Sequence, residues 1–244
     1  MAPTRSTRSH AELVAELAGR QKTVKGAPAY SRFVNRRLGR HLAAWAYRRG
    51  LSPNQVTALS AGCSALAIAG LFALAPSWWL GIAVAALFVL GYALDSADGQ
   101  LSRLRGGGSP AGEWLDHMVD SAKICLLHLA VLTCLRRTDL DEGWLVVPAG
   151  YLVVNVLWFS GLLLTQFLRQ AGRGAPPVVS RASVLRSLIV LPTDFGVLCL
   201  VFLLLGAPPV FLAGYGLLGL ANLLFLSASL VVWYRDLSRI GRAA

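Results

Sequence analysis

The chain has 244 residues, of which 55% are hydrophobic and 14% charged, with a net charge of +11 and a mean hydropathy of +0.58. So much apolar material against so little charge excludes an ordinary soluble domain and predicts an integral membrane protein. Eleven of the 23 Lys and Arg residues fall within the first 50 positions, a pattern that suits cytoplasmic loops and anionic headgroups better than nucleic acid. The four cysteines, Cys63, Cys125, Cys134 and Cys199, stand singly in or beside apolar stretches, which fits neither a zinc site nor a disulfide framework.

Residues 1–28 are polar, lack periodicity and contain no apolar core of a secretory signal, so they read as a disordered or loosely ordered arm. In residues 29–50 the pattern changes. Val34, Leu38, Leu42 and Trp45 recur at helical spacing, while Arg32, Arg36, Arg37, Arg40 and Arg48 point elsewhere. That predicts a basic amphipathic helix lying in the membrane interface, with Ser31 as a cap. Residues 51–236 carry apolar runs of about 20 residues, each long enough to cross a bilayer. Six spans are predicted, near 54–75, 79–102, 112–135, 143–168, 186–205 and 208–234, with 237–244 as a tail. The expected fold is all-α and polytopic: six transmembrane helices behind one basic interfacial helix. Pro53 suits the first turn of span one, and Gly106 to Pro110, Pro176-Pro177 and Pro208-Pro209 break the chain between later spans.

The loops set the orientation. Arg103 and Arg105 follow span two, Arg169, Arg173, Arg181 and Arg186 follow span four, and Arg235, Arg239 and Arg242 end the chain. The connections near Pro76 and Gly206 carry no basic residue, and only Arg136 and Arg137 run against the trend. Both termini are therefore expected in the cytoplasm.

Within this apolar frame stands an acidic cluster. The chain reads Asp95-Ser-Ala-Asp98-Gly99-Gln-Leu-Ser-Arg103, then after eight residues Gly112, Asp116 and Asp120. Ionised carboxylates are costly at such depth, so an acidic cluster there marks a functional site. Asp95 and Asp98 share one helical face, as do Asp116 and Asp120. If the turn between spans two and three makes them antiparallel neighbours, four carboxylates can converge. Oxygen-only ligation points to hard cations, Mg²⁺ or Mn²⁺, and two such ions can clamp a pyrophosphate. Gly99 and Gly112 remove side chains where a ligand comes close, and Arg103 can pair with phosphate. Taken singly, each Asp reads as a cap or surface charge, each Gly as helix packing and Arg103 as an interfacial anchor; together they read as a site.

The pattern Asp-x2-Asp-Gly-x3-Arg-x8-Gly-x3-Asp-x3-Asp resembles the signature of the CDP-alcohol phosphotransferase family, membrane enzymes of phospholipid synthesis. Every signature position is matched except Ser102, where the family usually has alanine. Leu51-Ser-Pro53-Asn54-Gln-Val-Thr57, leading into span one, also looks family-like. The resemblance implies that Asp95, Asp98 and Asp116 bind two metal ions, and that Asp120 completes the metal site and acts as the base. It implies that Gly99, Arg103 and Gly112 line a CDP pocket, that an alcohol attacks the donor's β-phosphorus with release of CMP, and that the protein is a homodimer.

The substrate is less sharply drawn. Ser109-Pro-Ala-Gly112-Glu-Trp-Leu-Asp116-His117-Met-Val-Asp120-Ser121 resembles choline/ethanolamine phosphotransferases, which join a CDP-aminoalcohol to diacylglycerol. Length and span number look more like bacterial enzymes that use CDP-diacylglycerol and a polar alcohol. Arg169, Arg173, Arg181 and Arg186 are candidates for an acceptor phosphate or for cytoplasmic anchoring. His117 is read as a proton-transfer assistant or a supporting hydrogen-bonded group, and Asp194 as closing the acceptor site or capping a helix after Pro192. Asn155 and Gln166 read as interhelical hydrogen bonds. A cation transporter would explain the acids but not Gly99, Arg103 and Gly112, and would show repeats or broken helices.

Overall fold

The computed structural model describes residues 8–20, 27–171 and 184–243, without the side chains of Arg186 and residues 240–243. All regular structure in these residues is helical. α1 spans His10–Gly19, α2 Arg36–Arg48, α3 Pro53–Ala73, α4 Trp78–Leu104, α5 Pro110–Leu135, α6 Val146–Ala171, α7 Val184–Ile189, α8 Phe195–Val201 and α9 Pro208–Ala243. Among the described residues, five helical stretches are long and apolar enough to cross a membrane: Pro53–Ala73, Trp78–Leu104, Pro110–Leu135, Glu142–Ala171 and Pro208–Arg239.

Helix starts follow local chemistry. Ser52 caps α3 in a reciprocal box with Gln55 (2.8 and 3.2 Å) ahead of Pro53. Ser77 and Ser109 cap α4 and α5 through the N–H groups of Leu80 and Gly112.

Three expectations need correction. The arm at 1–28 contains α1, which opens with a Ser9–Glu12 capping box and buries Leu13 and Leu17 against α2 and α4. Packing of one face, rather than its own propensity, holds so short a helix. The fifth predicted span, near 186–205, is broken rather than continuous. α7 ends at Ile189, a 3₁₀ turn covers Leu191–Thr193, and Asp194 starts α8 afresh. Pro192 cannot donate a backbone hydrogen bond, and Asp194 supplies a cap just beyond it. Finally, 237–243 continues α9 instead of forming a separate tail.

The helices do not pack in simple chain order. α3 lies against both α4 and α5, whereas α4 and α5 barely touch. Spans two and three, expected as antiparallel neighbours, make few contacts along their length; Asp95 and Asp98 meet Asp116 between them, and α3 packs against both. α2 crosses the last part of α4, where a Cβ on Gly39 would stand 2.7 Å from Ser96 Oγ. Its buried face is made of Gly39, Ala43, Ala44 and Ala46, continued by Asn35 in the turn before it, while Leu38 and Trp45, and Val34 in that turn, point outward. A small-residue face permits the close crossing and leaves the larger apolar stripe for lipid.

One core joins α3, α4, α5, α6, α8 and α9 around Phe88, Leu127, Phe202, Phe211 and Tyr215. A second, around Leu94, Ala97 and Leu101, joins α4 to α1 and α2. Near the start of α4, a Cβ on Gly81 would lie 2.5 Å from the Phe202 carbonyl oxygen, whereas one on Gly62 of α3 would meet nothing within 4 Å. Gly81→Ala should cost about 1–3 kcal/mol, from a backbone that cannot yield. Gly62→Ala should be neutral or add up to about 1 kcal/mol through helix propensity. Thermal unfolding of both variants in detergent checks the contrast; equal midpoints would refute the close approach of the start of α4 to the end of α8.

Candidate active site

The last turns of α4 and the first turns of α5 carry the acidic signature. Between them Gly106 and Gly107 take φ values of +97° and +129°, backbone conformations open to glycine but strained for other residues. They reverse the chain immediately before the Ser109 cap.

Asp95, Asp98 and Asp116 each bring a carboxylate oxygen to within 4.8 Å of the others. Asp98 is 6% exposed, and Thr57 of α3 donates its hydroxyl to Asp98 Oδ2 at 2.7 Å. α3 thus orients a carboxylate of its neighbour. The three acids line a cavity of about 200 Å³, together with Ser96, Gly99, Gln100, Arg36 and Arg103. Anionic and cationic walls face one space, an arrangement for a ligand bearing phosphates and a metal.

The donor set fits a hard divalent cation: three carboxylates, converging, with one held by a hydroxyl. The cationic wall fits a phosphate. Arg103 Nε is buried without a hydrogen-bond partner among the described residues, and burial lowers the Arg36 guanidinium from its ordinary value. Arginine stays charged even so. Both guanidiniums would gain from an anion in the cavity.

The remaining predicted residues separate. Gly99 lines the cavity, and a Cβ there would meet only Arg103 Nη1 at 3.6 Å, so its bareness leaves room for a ligand. Gly112 lies in the first turn of α5, where a Cβ would come within 3.1 Å of Asn54 Oδ1; it admits the start of α3 rather than lining the cavity. Asp120 is outside the group of three: its Oδ1 is 2.5 Å from Lys123 Nζ. His117 sits 3.9 Å from Glu113 and edge-on to Phe159, with Nδ1 buried and unpartnered among the described residues, and does not line the cavity.

Asp194 accepts the N–H groups of Ser31 (2.6 Å) and Gly196 (3.0 Å) and the Tyr92 hydroxyl (3.4 Å). It therefore caps α8 and ties that helix to the segment before α2. Arg169 pairs with Asp236 of α9 at 2.7 Å. Arg173 and Arg181 lie outside the described residues, as does the side chain of Arg186. Asn155 makes the expected interhelical bond, 2.8 Å to His128 Nε2.

Sequence reasoning misses Thr57, Arg36 and Lys123. Thr57 reads there only as part of the approach to span one. Arg36 reads as facing headgroups, although the Gly39, Ala43 and Ala46 stripe marks the neighbouring face of α2 as the inward one. Lys123 lies three residues beyond Asp120, a spacing that brings opposite charges together on a helix.

Comparison with known proteins is consistent with this geometry. The profile of the CDP-alcohol phosphatidyltransferase family matches residues 51–234. Over 84 residues the chain is 36% identical to phosphatidylinositol phosphate synthase of Mycolicibacterium smegmatis, a stretch covering 34% of this chain and 36% of that protein. The match thus spans about a third of the curated relative's length. Crystal structures of phosphatidylinositol phosphate synthase from Mycobacterium tuberculosis share the fold. The complex with manganese and citrate is 24% identical, covering 79% of this chain and 87% of that one at a TM-score of 0.51. The structure with CDP-DAG bound is 23% identical, covering 84% and 93% at a TM-score of 0.50. An all-helical, multi-pass membrane protein with the aspartate signature intact, the chain belongs to the CDP-alcohol phosphatidyltransferase family.

Proposed function

We propose that this protein transfers a substituted phosphate group from a CDP-linked donor, CDP-diacylglycerol, to the hydroxyl of a polar alcohol, releasing CMP. The observation that carries the reading is the cavity in which Asp95, Asp98 and Asp116 face Arg36 and Arg103. Family membership and the CDP-DAG-bound fold relative support the donor.

Asp95, Asp98 and Asp116 would hold Mg²⁺ or Mn²⁺. When bound, the metal supplies charge neutralisation for the donor's pyrophosphate and for the departing CMP. Arg103 and Arg36 clamp phosphate oxygens from the opposite wall, and Gly99 leaves the α4 surface open to the nucleotide. Thr57 fixes the rotamer of Asp98 and so the position of the donor. The acceptor oxygen attacks the β-phosphorus, the pyrophosphate bond breaks, and CMP leaves with that bond's oxygen. Asp120 takes the acceptor's proton. Most of the acceleration would come from placement and charge, as is usual for phosphoryl transfer.

The distribution of Arg and Lys among the loops supports both termini and the cavity facing the cytoplasm. The outward Leu38 and Trp45 of α2, with Val34 just before it, support its lying along that interface. From there a soluble acceptor would enter from the cytosol and a lipid donor from the side.

CMP release by purified protein with Mg²⁺ tests the reaction. Turnover is expected with CDP-diacylglycerol and a pool of polar alcohols, and splitting the pool names the acceptor. Turnover only with CDP-choline or CDP-ethanolamine and diacylglycerol would reassign the donor, and silence in both without CDP binding would overturn the reaction class. EDTA should abolish activity and restored Mg²⁺ should recover it. Asp120→Asn should lower kcat by about a hundredfold or more with CDP affinity largely kept. Asp98→Asn should weaken metal-dependent CDP binding, and Arg36→Ala should raise KM for the donor by about tenfold. Normal turnover in both aspartate variants would remove the site assignment.

A further inference from the structure

From α2 the cavity draws on Arg36, the first residue of a helix whose Arg37, Leu38 and Trp45 are exposed. Arg103 lines the same cavity. Two guanidiniums repel, and an arginine has ample rotamer freedom to swing toward water. Something has to hold Arg36 in place.

Two side-chain amides fasten the backbone around it. Asn35, in the turn just before α2, donates from Nδ2 to the Tyr92 carbonyl of α4 at 3.1 Å. Further along α4, Gln100 returns the bond, donating from Nε2 to the Arg36 carbonyl at 3.2 Å. The Gln100 amide also donates to Ser96 Oγ, again at 3.2 Å. An amide nitrogen carries two hydrogens, so both are spent inside the protein and neither is left for a ligand. Asn35 is 3% exposed and Gln100 1%, depths at which a donor left without an acceptor is costly. Gly39 completes the fit. A Cβ there would come within 2.8 Å of Gln100 Nε2, so α2 settles against that amide only because no side chain intervenes.

We infer that Asn35 and Gln100 are positioning residues for donor binding: their reciprocal amide-to-carbonyl bonds lock α2 to α4 at Arg36 and so hold that arginine for the phosphates of the CDP moiety. This rests on the reading of the cavity as a CDP site. Both residues act through Arg36 rather than on the substrate, and the interfacial helix becomes a working wall of the pocket as well as an anchor in the headgroups.

CDP binding to the full chain in detergent, measured by calorimetry with Mg²⁺ present, tests this. Gln100→Met and Asn35→Leu keep the approximate shape and remove the amide. Each should weaken CDP binding by about three- to tenfold, and by no more than Arg36→Ala does. On the Arg36→Ala background neither should add more than about twofold, because the residue they position is gone. A merely structural role would give additive losses. Asn35, which does not line the cavity, provides a kinetic arm: Asn35→Leu should raise KM for the donor while kcat stays within about twofold of wild type. Wild-type affinity in either folded variant, or full additivity with Arg36→Ala, would overturn the inference. Undiminished binding in Arg36→Ala would remove the arginine clamp and the inference with it, and wild-type protein that binds no CDP would overturn the CDP reading itself.

Discussion

Three carboxylates held within 4.8 Å of one another are the constraint on which the rest of this structure depends. Two unit charges about 4 Å apart repel by about 4 kcal/mol where the effective dielectric is near 20, and the third makes it worse. The fold answers with positive charge and hydrogen bonds delivered from separate elements. Thr57 comes from α3, Arg36 from α2, and Arg103 from the same helix as two of the acids. Each of these reaches the cavity only because its own helix is packed elsewhere. The acidic pocket in that sense makes a demand on every helix that surrounds it.

The wedge geometry follows from the same requirement. Had α4 and α5 packed tightly along their length, the acids would have been driven together with no room for a ligand. α3 instead lies against both and keeps them apart. Its two contributions are close in sequence: Asn54 lies against Gly112, and Thr57, one turn further on, reaches Asp98. The Ser52–Gln55 capping box and Pro53 fix where that helix begins, and hence where the two contacts fall. Gly112 therefore acts through packing, although it does not line the cavity: it lets the start of α3 come close enough for Thr57 to find its carboxylate.

Much of this is legible in the sequence, for reasons that are local. Long apolar runs bounded by Pro53, Ser77 and Pro110 specify helices whatever the tertiary context, and intramembrane acids mark a site because nothing else excuses their cost. What escapes is set by packing. α1 has only ten residues and is held because Leu13 and Leu17 bury in the cluster that α2 shares with α4. The stretch near 186–205 is apolar enough for a span, yet composition does not register that Pro192 and Asp194 together end one helix and start another. Periodicity sends Arg36 to the headgroups because large apolar residues mark the stripe it detects on α2; the inward face is the small one, since only small residues allow helices to cross so closely. Spacing alone groups Asp120 with the other acids, and spacing cannot say which way a side chain turns when a lysine lies one turn away.

α5 links the two halves of the bundle. Its first turns carry Asp116, Asp120 and Lys123; further along, His128 bonds to the Tyr215 hydroxyl and to Asn155. Tyr151 packs against His128, and Asn222 completes the set by donating to the Tyr151 hydroxyl and the Pro192 carbonyl. Polar groups in an apolar bundle are retained where they satisfy one another, and they fix helices against rotation and sliding more sharply than dispersion contacts can. This network pins α5 to α6 and α9, and through Pro192 to the broken segment that presents Phe195 to Lys123. The same contacts that make the apolar core specific therefore also determine where the Asp120 carboxylate stands relative to the other three.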